Sequence, residues 1–465
     1  MAARLLEDRL LSRATFGARL GDREALSAIG AERWVERELS SRTTASENST
    51  RDPLLSKRLK RFTSLGRSAR ELLAGAAPDD EPMMGARPGA RPNKEQRREI
   101  MQLSRRIGRE AAGARVVRAV HGENGLYEVM IDFWANHFSV NARKPLLGAV
   151  LPHYLDQTLV PHALGRFEDL LLATAQSPAM LIYLDNWNST APRTNPRRRR
   201  DRNRRRRGPG GINENYAREL LELHTLGVEG GYDQRDVIEV ANVFTGWSIK
   251  SRRDPAFRFD NALHASGLKR VLGAQIREAG EVEGRRLIRQ LAEHPSTATH
   301  ISSKLVQRFV ADTPPASLVT RASQRYLETG GEISAVLRVI LLSPEFSEAE
   351  NQKLKTPLRL LASALRATGG STDGGPGVLR TLERMGEVPF GARSPAGYPE
   401  TAREWINPGS LLARMNLAFA LEGRRIPGTR LGRSQPPIGN TNRRQQSTAR
   451  DARALMLASG DFQWS

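Results

Sequence analysis

The segment 126–138 reads Leu-Tyr-Glu-Val-Met-Ile-Asp-Phe-Trp-Ala-Asn-His-Phe. On a helix turning roughly 100° per residue it sets His137 on the face that carries Leu126, Met130 and Phe133. A buried imidazole needs partners for its ring nitrogens, or it costs about 1–3 kcal/mol. His137 is therefore either a core histidine bonded to a carbonyl or carboxylate, or a catalytic or ligand group. A second string starts at Asn213-Glu-Asn-Tyr-Ala-Arg-Glu and runs on through Leu-Leu-Glu-Leu-His-Thr-Leu-Gly. It is a helix with Asn213 as N-cap, Glu214 in the first turn and Gly227 as the stop. Its apolar face holds Tyr216, Ala217, Leu220, Leu221 and Leu223, with His224 in the middle. Glu219 falls between Leu223 and Leu226, so Glu219 and His224 are expected to be buried on different sides of one helix, with Arg218 and Glu222 paired on the polar side. Further buried polar candidates are His162, Asp185 and Asn186 after the apolar Met180 to Leu184, and His264 in His-Ala-Ser-Gly-Leu-Lys. Residues of these types build a metal site or an acid/base pair. The catalytic candidates are His137, Glu219, His224 and Asp185. Asn136, Asn186, Asn213, Glu214, Asn215, His264 and Lys269 form the polar surround. There is no His-Glu-x-x-His, Gly-x-Ser-x-Gly or P-loop, so the groups would have to converge from separate helices.

Apolar spacing of three and four dominates the chain and predicts a mainly α fold: one large multi-helix domain with at most a small β-hairpin. Helical segments over 1–40 are expected to pack on a main domain spanning 95–423. Residues 41–94 are rich in Ser, Pro, Gly and Asp and read as a loop or linker with one helix near Glu71. The hairpin falls in the break at Thr245–Gly273. A polar basic linker, 424–447, precedes a last helical segment at 448–465. Strings of the form Ser-(Pro/Gly)-x-(Met/Phe) close three apolar helices, at Ser177, Ser343 and Ser459, a shared packing device rather than a chemical one. With 465 residues, 39% of them hydrophobic, the chain can bury a core. It has no Cys, which excludes disulfides, thiolate-bound metal and c-type haem and leaves the cofactor otherwise unspecified. No stretch is apolar enough for a membrane span, and the charged first residues do not form a signal peptide. The chain as written is expected in the cytoplasm, and exported if translation starts further upstream.

The net charge is 72 − 51 = +21, carried by 63 Arg against 9 Lys. Ten Arg and one Asp lie in 193–207 alone, including Arg197, Arg198, Arg199, Arg200, Arg204, Arg205, Arg206 and Arg207. Such a run repels itself, and no aromatic side chains interleave for stacking on bases. It is expected as an exposed loop, and any polyanion it binds is held electrostatically.

The same strings, in this order, resemble the bacterial family known as domain of unknown function 1800. They begin with Leu11-Ser-Arg-Ala-Thr-Phe-Gly, Phe133-Trp-Ala-Asn-His-Phe and Ser177-Pro-Ala-Met-Leu-Ile-Tyr-Leu-Asp-Asn, and go on through the Asn213 helix and Phe244-Thr-Gly-Trp. His294-Pro-Ser-Thr-Ala, Lys304-Leu, Ser343-Pro-Glu-Phe, Lys355-Thr-Pro, Trp405-Ile-Asn and Leu411-Leu-Ala-Arg-Met-Asn complete the set. The resemblance spans essentially the whole chain. It implies an uncharacterised activity and, because such genes are commonly neighbours of one for an alkaline-phosphatase/sulfatase-like protein, a two-protein system. The chain departs from the family pattern at Ala135 and Ala265, where members usually carry His and Asp, and at Tyr398, where they often carry Trp.

Three functions fit these readings. The first is a binding or assembly component working with a partner protein of the sulfatase-like superfamily, its buried polar groups serving the fold. The second is a hydrolase or metal-assisted enzyme using the His/Glu/Asp set, and the third is polyanion binding through the arginine run.

Overall fold

The computed structural model describes residues 2–40, 52–74, 94–192, 211–251, 254–349, 353–432 and 443–465. The expected loop at Arg193–Arg207 lies outside the described residues. The fold is mainly helical, and among the described residues no helix is long and apolar enough to cross a membrane. One continuous core runs from Leu10 to Leu457 and takes in Met130, Phe133, Leu220 and Leu221, the apolar faces that the periodicity marks.

Among the helices of the described residues are α1 (Ala2–Arg13), α2 (Lys94–His121), α3 (Gly125–His137), α4 (Glu214–Glu219), α5 (Pro295–Phe309), α6 (Pro357–Ala367), α7 (Pro408–Glu422) and α8 (Arg443–Ala458). The long α2 lies against the helix Leu147–His153, and Gly148 makes that crossing close. A Cβ on Gly148 would lie 1.9 Å from Ser104 O, so no larger residue fits there. Within 41–94 the helices Pro53–Leu59 and Ala69–Leu73 pack on α2 and on Leu147–His153. Ser68 and Glu71 close a capping box at the second of these.

Apart from two isolated bridges, strand pairing among the described residues is confined to three antiparallel pairs: β1 (Trp247–Ile249) with β2 (Phe257–Phe259), β3 (Lys269–Val271) with β4 (Ala274–Ile276), and β5 (Ser371–Thr372) with β6 (Thr429–Arg430). The break expected to hold one hairpin thus starts two, and β6 lies in the segment read as a linker.

The arginine excess has an internal use. Arg13, Arg359 and Arg414 are buried, and each points its guanidinium at backbone carbonyls. Arg13 Nη1 donates to Val310 O at 2.8 Å, just past the end of α5. Arg359 Nη2 donates to Ser12 O and Arg13 O at 3.1 and 3.0 Å, at the end of α1, and Arg414 Nη1 donates to Lys355 O at 2.8 Å, just ahead of α6. The last carbonyls of a helix have no acceptor role within it, and the forks of Arg13 and Arg359 satisfy such groups across a helix contact.

Candidate functional site

His137 and His224 are both 2% exposed, as the helical wheels require. The structure brings them together, and adds His300 of α5: the His137 ring centroid lies 6.2 Å from each of the other two. The reason is a change of helix type. After α4 the chain widens into a π-helix at Leu220–Thr225, where Leu226 N reaches back five residues to Leu221 O. The carbonyls of Leu223 and His224 stand at its end. His300 Nε2 donates to Leu223 O and His137 Nε2 to His224 O, both at 3.2 Å. This places the proton on Nε2 and leaves His137 Nδ1 buried without a partner. Burial, then the Lys304 ammonium one turn beyond His300, keep the rings neutral: His224 is pushed down to about 3, His300 to about 4, and His137 well below its ordinary value. His137 and His300 act here as neutral donors to a helix end.

The other two catalytic candidates do not join them. Glu219 is only half-buried, not buried as the wheel suggests, because α4 ends there and the wider turn that follows resets the register. Burial and the neighbouring Glu222 raise its carboxyl. Asp185, expected to be buried, is exposed: it occupies a left-handed turn, φ 60°, after the helix Pro178–Tyr183 and pairs with Lys144 Nζ at 2.7 Å. Arg218 pairs back to Glu214 at 3.5 Å instead of forward to Glu222. Among the described residues no group of three His, Asp or Glu side chains is arranged to hold a metal ion.

The polar surround divides into separate ties. Asn186 is fully buried and donates to Phe244 O and Trp247 O, fixing the start of the β1–β2 hairpin. Asn213 caps Asn215 N through Oδ1 and, like Asn215, donates to Leu184 O, while Glu214 accepts from Gln234. His264 and Lys269 converge on the buried carboxylate of Glu283, at 3.0 and 2.8 Å, and His264 Nδ1 meets Thr245 O at 2.8 Å. Burial pushes Glu283 up, but bonds from Lys269, Ala279 N and His264 outweigh it and hold the carboxyl below its usual range. Ala265 sits in this tie through its own backbone, donating to Thr245 Oγ1. His162 lies half-buried in a groove of about 270 Å³ with Arg166, Asp169 and Glu332.

A heavily charged cavity lies on the opposite side of α3 and is built, Asn136 apart, mostly by residues outside the candidates that the sequence offers. Glu128, Asp132 and Asn136 recur every fourth residue of α3 and form a polar stripe. Glu128 takes Arg115 and Arg118 of α2 at 2.8 and 3.0 Å, all three buried. Asp132 takes Arg308 of α5 at 3.0 Å, and Arg308 also holds Glu400 at 3.1 Å. Asn136 clamps the backbone of Tyr398: its Nδ2 donates to Tyr398 O at 2.9 Å and its Oδ1 accepts Tyr398 N at 2.7 Å. Gly397 must precede that clamp, since at φ 81° a Cβ would lie 2.4 Å from Asn136 O.

Between these groups is a cleft of about 40 Å³, with Ala135, Asn136, Ser139, Thr356 and Glu387 on its wall. Glu387 Oε2 accepts Leu358 N at 2.8 Å, capping the start of α6 from a different part of the chain. Burial and the nearby Asp132 push Glu387 up to about 7, against the opposing pull of Leu358 N, Thr356 and Arg308. A buried acid that changes charge near neutral pH, facing a second carboxylate, is the arrangement from which acid/base or charge-gated binding sites are made. Ala135 is the wall residue at which the resemblance expects a histidine. The stripe on α3 was the available sequence signal; Glu387 and Glu400 sit in an aperiodic stretch and gave none.

No curated protein and no solved structure shows significant similarity to the chain. A family model described as protein of unknown function, DUF1800, matches residues 9–464. Since that match covers nearly the whole sequence, the chain belongs to the DUF1800 family.

Proposed function

We propose that the protein is a binding or assembly component whose partner docks on α7. The observation that carries this reading is the outer face of α7. Leu411, Leu412, Met415 and Phe419 are 42, 60, 47 and 37% exposed, and no charged residue stands among them. The opposite face buries Arg414, Leu417, Ala418 and Leu421. A surface helix normally sets charge against solvent, whereas one that is apolar on both sides is built to be covered on both. The adjoining helix α8 adds exposed Leu455 and Met456 to the same region. Exposed residues flanking the face carry both signs, Arg403 and Arg424 with Glu404 and Asp451. A mixed-sign rim around an apolar centre suits a protein partner better than an anionic membrane, which would favour cations alone.

The partner that the family resemblance supplies is a protein of the alkaline-phosphatase/sulfatase-like superfamily. Co-expression with a sulfatase-like protein of the kind that the family resemblance implies, followed by size-exclusion chromatography with light scattering, tests the reading. We expect a defined complex that the double substitution L412D/M415D disrupts while leaving the free chain folded. Separate elution of the two wild-type proteins, or a complex indifferent to the double substitution, would overturn it.

A further inference from the structure

The cleft beside α3 has more hydrogen-bond acceptors than donors. Several donors of its wall are already bonded to protein acceptors. Arg115 Nη1 goes to Glu128, Arg308 Nη1 to Glu400 and Nη2 to Asp132, Asn136 Nδ2 to Tyr398 O, and the Tyr398 hydroxyl to Val388 O. Arg308 Nε is buried without an acceptor. Against these stand the carboxyl oxygens of Asp132, Glu387 and Glu400, each able to accept two bonds. Asp132 and Glu400 share Arg308, whereas Glu387 forms no ion pair among the described residues. It takes the Leu358 amide and lies by Thr356, whose buried hydroxyl makes no well-formed hydrogen bond. Glu387 is 8% exposed, so water does little to satisfy it.

We propose that this cleft binds the primary ammonium head of a ligand, with Glu387 as its counter-ion and Asp132 and Glu400 accepting the remaining N–H bonds. An ammonium offers three donors and one positive charge, which suit a wall where three carboxyls face two guanidiniums and Arg115 is drawn to Glu128. The volume admits a compact head. Leu358, Pro389, Phe390 and Pro399 supply apolar wall for the carbon chain that carries it. An anion would face three carboxyls instead. The groups that act on Glu387 are Asp132 of α3, Arg308 of α5, Thr356 and the Leu358 amide at the head of α6, Tyr398, and Arg414 of α7. A proton and the ligand compete for the same carboxylate, so binding must weaken as the pH falls through about 7.

Titration calorimetry of the full chain with n-butylammonium at pH 8 and pH 6 tests this site independently of the docking face. We expect saturable binding at pH 8 that weakens about tenfold at pH 6, which is the ratio of ionised Glu387 at the two values. E387Q keeps an acceptor for Leu358 N, and it should weaken binding at pH 8 by at least tenfold and remove the pH dependence. A135L narrows the cleft without altering any charge and should also abolish binding; thermal melts establish that both variants are folded. Absence of saturable heat from the folded wild-type chain at pH 8 would overturn the proposal. So would equal affinity for tetramethylammonium, which has no N–H donors, or unchanged binding in E387Q.

Discussion

Replacing His300 by Gln separates the neutral-donor role of the buried imidazoles from every other acid effect in this protein. His300 Nε2 donates to Leu223 O at 3.2 Å, and a glutamine amide can make the same bond without titrating. Burial, then Lys304, depress the imidazole from 6.5 to about 4 in the fold. The folded state therefore binds fewer protons than the unfolded chain between those values. Its contribution to stability is complete above about 6.5 and is lost progressively as the pH falls toward 4. Between pH 7.5 and pH 5 the loss from this one group is about 2 kcal/mol, the logarithm of an approximately thirtyfold difference in proton uptake. Glu387 works in the other direction, because its carboxyl is raised and gains stability over the same interval. The net pH profile of the wild type therefore cannot identify His300, but the difference from H300Q can. Urea unfolding at pH 7.5 and pH 5 should show the wild type losing about 2 kcal/mol more than H300Q. Equal losses would refute the assignment of His300 as a neutral cap and point to an imidazole that is charged or solvated in the fold.

Three further outcomes follow from named contacts. R359M removes the fork that satisfies Ser12 O and Arg13 O; two uncapped buried carbonyls should cost about 2–4 kcal/mol, and hydrogen exchange should rise selectively in α1, whereas uniform exchange would contradict the capping role. G397A should destabilise by on the order of 2–4 kcal/mol in urea, because a Cβ at φ 81° meets Asn136 O at 2.4 Å and opens the clamp on Tyr398; a variant as stable as the wild type would remove the clamp from the account. E283Q leaves buried Lys269 without its carboxylate and should cost about 3–5 kcal/mol at pH 7. The Glu283 carboxyl is held low in the fold, so its contribution is present above about 4.5 and lost as the pH falls below it; the variant's deficit should shrink on acidification, and a constant deficit would show that the carboxylate's charge is not what stabilises the tie.

The parts of this molecule that could be read from the sequence are those set by repetition along one element. Leu126, Met130 and Phe133 recur at helical spacing, so the burial of His137 followed from its neighbours. Asn213 caps its helix because a short side-chain acceptor beside an apolar run has one favourable place, and that place is where it stands. Glu219 misled because a wheel assumes a constant turn, and the π-helix that begins at Leu220 adds a residue to it. Asp185 misled for a related reason: an apolar run tells where a helix is buried, not that the residue after its end turns outward at positive φ. Glu387 and Glu400 could not be found at all, since what makes them special is the approach of Asp132 and Arg308 from helices about 80 to 270 residues away in the chain.

The arginines show how a property of the whole sequence can point outward while its cause lies within. A charge of +21 suggests a polyanion partner, yet several of the cations responsible never meet solvent. Arg13, Arg359 and Arg414 each connect a helix end to another segment through carbonyl oxygens, and Arg115 and Arg308 are matched to carboxylates. Lysines would serve less well at these three positions. One guanidinium of Arg359 reaches two successive carbonyls in a fixed plane, and burial that pulls Arg359 down to about 9 still leaves it charged at neutral pH. An ammonium in comparable surroundings, Lys355, is pulled down by burial and by Arg359 to about 7. A lysine at position 359 would accordingly lose much of its charge near neutrality, and with it the charge-assisted bonds that hold the end of α1. The preference for Arg over Lys is in this interior a requirement of helix ends that meet away from water, whatever the surface arginines bind.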